Sequence, residues 1–109
     1  MHDTDYATTW LPDPTGAAVL RLGGELDINA RDPLAEDLLA AIRERRYPGI
    51  TVDLTDVAFI DSEALSSLLL AYSAARDAGI AYRLTGATGV VQRVLKVAGV
   101  LDLAHPPAG

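Results

Sequence analysis

The 109 residues predict a single α/β domain built on a small mixed, mostly parallel sheet. Three observations carry this. From residue 50 onward, short apolar runs alternate with stripes of helical spacing. Near the start, the turn-forming PDPTG at 12–16 separates two extended runs, and Pro or Gly punctuates the chain at 48–49, 79, 86 and 99. One core is all that such a length supports, so residues 1–109 form one domain, with 1–4 and 104–109 as loose tails.

Residues 5–10 are rich in Thr, Tyr and Trp, and Ala17 to Leu22 is the second apolar run, so the two make an N-terminal β-hairpin. Gly23 and Gly24 are expected to end it. Asp32 followed by Pro33 fits a helix cap and first helical residue, with a start up to about three residues earlier also allowed. Leu34, Leu38, Ala41 and Ile42 form the buried stripe, and Arg43, Arg45 and Arg46 crowd the last turn, where cations suit the dipole. Tyr47-Pro48-Gly49 stops that helix.

Ile50 to Leu54 is a strand, and Val57 to Ile60 continues extended to Asp61-Ser62, where the second helix begins. Leu65, Leu68, Leu69, Tyr72 and Ala75 share its apolar face, with Ser66, Ser67, Ser73 and Arg76 mostly on the other. Gly79 closes it. Ile80 to Thr85 is a strand parallel to 50–54 through a right-handed crossover. Val91, Val94, Leu95 and Ala98 stripe a third helix ending at Gly99, and Val100 to Leu103 reads as a last short strand.

Composition narrows the function. Fifteen acidic residues face nine basic ones, for a formal charge of −6, which argues against neutralising a run of phosphates and therefore against nucleic-acid binding. The chain has no cysteine, which removes thiol catalysis, disulfides and Cys-type zinc sites. MHDTDYATTW lacks the basic-then-apolar order of a secretory signal, and no apolar run approaches the ~20 residues of a membrane span. A cytoplasmic protein fits these features. His2 and His105 lie near the ends, too far out to serve as base in a core triad. Gly86-Ala87-Thr88-Gly89 lacks the P-loop lysine and reads as an ordinary strand-to-helix turn. Asp53, Asp56 and Asp61 could gather near a strand end around Mg²⁺, but solvated turn and cap residues are the simpler reading. No catalytic residue, metal ligand or cofactor site is assigned.

The most informative segment is 50–65, ITVDLTDVAFIDSEAL, an apolar strand that delivers an Asp-Ser pair to the start of a helix. A hydroxyl there sits among free backbone N–H groups at the positive end of the macrodipole, where an added phosphate finds partners. On local chemistry alone, Ser62 also reads as a simple cap, since Ser and Asp are both preferred there.

In order and spacing, Asp53, Leu54, Val57, Phe59, Ile60, Asp61, Ser62 and Leu65 resemble the signature of the STAS domain family, the anti-sigma factor antagonists. GELD at 24–27 resembles a second family block. The resemblance implies a small mixed sheet with packed helices. It further implies that Ser62 is the residue phosphorylated by a partner anti-sigma factor with serine kinase activity and an ATP-binding fold, captured when Ser62 is unmodified and released once it is phosphorylated. Asp27, Asp61, Ser62, Glu63 and Ala64 are the implied partner-binding residues. Glu63 stands where the family has Ser or Thr, and is expected to favour the helix's first turn; Ala64 replaces a usual Gly, and is expected to keep a partner from the backbone. The same resemblance allows a non-switching scaffold or a transporter-associated regulatory module. The sequence leaves the oligomeric state open.

Overall fold

A computed structural model describes residues 6–100. β1 (Tyr6–Pro12) and β2 (Ala18–Leu26) form the antiparallel hairpin, with Tyr6 opposite Gly24 and Pro12 opposite Ala18. Asp13 closes the turn between them by accepting from the Thr15 N–H and hydroxyl, which hold its carboxyl below the usual carboxylate range. α1 (Ile28–Arg43), β3 (Gly49–Ile60), α2 (Ser62–Ala78), β4 (Ala81–Thr85) and α3 (Gly89–Val97) follow. Strand order is chain order, β1-β2-β3-β4, with β2, β3 and β4 parallel. Two crossovers stepping in one direction, right-handed as parallel connections require, carry α1 and α2 to pack on each other.

The core lies between these helices and the sheet. Leu20, Val52 and Leu84, in register across the sheet, meet Leu34, Leu38 and Ile42 of α1 and Leu65 and Leu68 of α2. Each large apolar side chain removed from water there contributes about 1.5–3 kcal/mol. Trp10 pins the edge strand to the helical layer, its indole N–H donating to Asp37 at 3.0 Å and its ring stacked on Tyr47 at 5.4 Å. Burial pushes the Tyr82 phenol up, keeping it a neutral donor to the Leu68 carbonyl. The opposite face carries Arg21, Thr51, Asp53 and Arg83.

Several expectations are corrected. Gly23 and Gly24 do not end the strand, which runs on to Leu26. Gly24 takes φ of 86°, conformational room that a residue with a Cβ lacks, and the register shifts on either side of the pair as the longer β3 passes. α1 begins at Ile28 with Asp27 as its cap, so Asp32 is not the cap and Pro33 lies inside the helix. Pro33 is tolerated because it is exposed and lies in the second turn, where the carbonyl it leaves without a donor reaches water. Ser67 is not on the solvent face: it is buried and donates to the Arg31 carbonyl of α1 at 2.5 Å. Ala64 and Ala71 join the buried stripe of α2, whereas Leu69 and Tyr72 are only half-buried. Arg45 donates to the Ala78 carbonyl at the end of α2 rather than serving its own helix. In α3, Val91 and Leu95 are buried, Val94 is half-buried and Ala98 exposed. Val100 is not in a strand, and the rest of the expected 100–103 strand lies outside the described residues.

Candidate functional site

β2 and β3 end side by side, and each passes directly into a helix, so the N-termini of α1 and α2 are neighbours at one edge of the sheet. The Asp61 N–H donates to the Leu26 carbonyl at 3.0 Å, which locks the two strand ends together. Asp27 accepts from the Asn29 N–H at 2.9 Å and Asp61 from the Ala64 N–H at 2.9 Å, so each helix is capped by an aspartate in extended conformation. Open α/β sheets bind ligands at this carboxyl edge.

Because Asp61 holds the cap, Ser62 is released from that duty. It is the first residue of α2, it is exposed, and among the described residues its hydroxyl has no hydrogen-bond partner. Glu63 lies in the same first turn and accepts from Arg31 Nη1 at 2.6 Å, across the gap between the helices. Arg31 also meets Asp32 at 3.1 Å, and these two carboxylates, Glu63 foremost, raise its guanidinium further above its ordinary value. Ala64 is fully buried. Its methyl therefore points into the core, so it offers a partner no side chain and does not hold one off the backbone.

Apolar surface surrounds the junction. Ile28 is 54%, Phe59 42% and Val97 83% exposed, large hydrophobic side chains within three residues of the two caps or on the neighbouring helix. A groove of about 340 Å³ runs between α2 and α3, lined by Ser62, Leu65, Arg93, Val94, Val97 and Ala98.

Signature residue Asp53 lies away from this site and shapes the backbone. Its Oδ1 accepts from the Thr55 hydroxyl at 2.6 Å and the Thr55 N–H at 2.9 Å, and the hydroxyl is the main reason its carboxyl stays below the usual range. Gly86, at φ 78°, closes over this turn: a Cβ there would lie 2.2 Å from Thr55 Oγ1. Asp53, Asp56 and Asp61 do not converge; among the described residues no three His, Cys, Asp or Glu side chains gather as metal ligands.

A family model described as "Mlab, STAS domain" matches residues 12–104, most of the chain. The chain belongs to the STAS family. Solved structures share the STAS fold. The anti-sigma factor antagonist SpoIIAA in its unphosphorylated form superposes with a TM-score of 0.80 at 20% identity, covering 90% of this chain and 85% of that one. The phosphorylated form of the Bacillus protein gives 0.74 at 19%, covering 90% and 88%. An anti-sigma factor antagonist from Mycobacterium paratuberculosis gives 0.77 at 23%, covering 89% and 80%. A sulfate transporter family protein from Wolinella succinogenes gives 0.70 at 19%, covering 82% and 71%. No curated protein matches the chain by sequence. In this STAS domain, the residues that sequence reasoning did not single out are Arg31, Arg93, Ile28 and the exposure of Phe59. Nothing local pairs Arg31 with Glu63 across 32 positions; only the packing of two helices does.

Proposed function

We propose that this STAS domain is an anti-sigma factor antagonist, a cytoplasmic binding switch that captures its partner when Ser62 is unmodified and releases it when Ser62 is phosphorylated. The carrying observation is the division of labour at the junction: Asp61 caps α2, and Ser62 stands exposed with an unengaged hydroxyl. Similarity to SpoIIAA, solved with and without phosphate, supports the choice of switch.

In the proposed reaction, Ser62 Oγ attacks the γ-phosphorus of ATP held by the partner kinase. The bond to the β-phosphate oxygen breaks, ADP leaves, and the serine proton passes to the kinase. The STAS chain is the substrate of this step, not its catalyst. The product carries roughly −1.5 to −2 of new charge beside Asp61 and Glu63. Ala64 and Leu65 N–H groups already serve Asp61, which leaves those of Ser62 and Glu63 for the phosphate, so the domain need not unfold. Ile28, Phe59 and Val97 supply apolar area to the unmodified interface, and the new charge removes its complementarity. Glu63 does not substitute for the phosphate, because Arg31 holds and offsets its charge.

Incubation with ATP and the cognate kinase is expected to add one phosphate by mass spectrometry, and Ser62→Ala to add none; an unmodified wild-type protein would overturn the proposal. The likeness to a sulfate transporter family protein is the observation behind a second reading, a regulatory module of a transporter. Co-purification with a permease and ATPase, without an anti-sigma factor, would select it.

A further inference from the structure

We infer that Arg93 is the receptor for a phosphate on Ser62, so that modification ties α3 to the first turn of α2 across the groove between them. This rests on the proposed phosphorylation of Ser62 and adds how the domain registers it. Ser62 and Arg93 line the same groove, whose other walls are Leu65, Val94, Val97 and Ala98. Two arginines lie close to the junction, and they differ in engagement. Arg31 is held by Glu63 at 2.6 Å and Asp32 at 3.1 Å. Among the described residues, Arg93 has neither an ion-pair nor a hydrogen-bond partner. A guanidinium presents paired donors that match two phosphate oxygens, and apolar walls weaken the competition from water. The amides of Ser62 and Glu63 can meet the remaining oxygen from the other side. Lys96, one turn further along α3, lines a different hollow with Gly89 and Gln92, and Arg93 stands between the two, bordering both.

The charged groups around the phosphate are Asp61 and Glu63, its neighbours along the chain, Arg31 of α1, which pairs with Glu63, and Arg93, the charged residue that shares its groove.

Phosphoserine installed at position 62 during translation makes the test independent of any kinase. Phosphorus NMR then follows the phosphate's second ionisation. The midpoint in the otherwise wild-type protein is expected to lie about 0.3–0.7 pH units below that of Arg93→Gln, a two- to fivefold preference for the dianion. Arg76→Gln makes the same charge change in the last turn of α2 and is expected to leave the midpoint in place. Equal midpoints in wild type and Arg93→Gln, or an equal shift in Arg76→Gln, would overturn the inference. Absence of kinase modification would instead count against the proposed function alone, since this titration does not depend on it.

Discussion

Asp61 and Ser62 are adjacent residues with nearly interchangeable capping chemistry, and the fold gives them opposite duties. The carboxylate accepts from Ala64 N–H and the hydroxyl is left in solvent. Stability should divide the same way. Asp61→Ala is expected to cost about 1 kcal/mol in chemical denaturation, the usual loss of an aspartate cap, while Ser62→Ala stays within about 0.5 kcal/mol. Equal losses would mean that the serine shares the cap. Sequence alone left these two roles open because either residue satisfies an N-terminal N–H; only the dihedrals and the Asp61 contact separate them. Asp32-Pro33 misled for a related reason. Its cap-then-proline order is a sound local signal, overridden here by Asp27, which stands where β2 ends.

At the scale of elements, the alternation of strands and helices was legible because the buried stripes are strong: Leu34, Leu38, Ala41 and Ile42 are all buried, as their spacing requires. What escaped was cross-element. Ser67 looked like solvent-face polarity in its own helix, yet α1 presents the Arg31 carbonyl to it. The double glycine looked like a terminator, yet β3 carries extra residues that β2 must accommodate. The β4–α3 connection shows the same dependence on a distant strand. Gly86 has both a positive φ and no room for a Cβ beside Thr55 and Asp53. Gly86→Ala is therefore expected to destabilise the domain by about 3 kcal/mol, combining backbone strain with overpacking. A melting temperature equal to that of wild type would show that the turn can open without cost.

Across the whole molecule, parallel strands bring both helix N-termini to one edge, and the packing of α1 and α3 beside α2 sets Arg31 next to Glu63 and Arg93 in the groove with the exposed serine. A mixed sheet with an N-terminal hairpin was readable from turn chemistry and apolar alternation. The surface around Ser62 was not, since Ile28, Phe59, and the pair Arg93 and Val97 come from three separate elements. None of the four carries a local signal of where it will point. On the proposed reading, modification there is a matter of binding rather than of folding. The most direct measurement is a calorimetric titration of the partner anti-sigma factor against the unmodified and the Ser62-phosphorylated domain. Affinity is expected to fall at least about a hundredfold on phosphorylation, or roughly 2.7 kcal/mol, with both forms melting alike. Equal affinity of the two forms would contradict the switch.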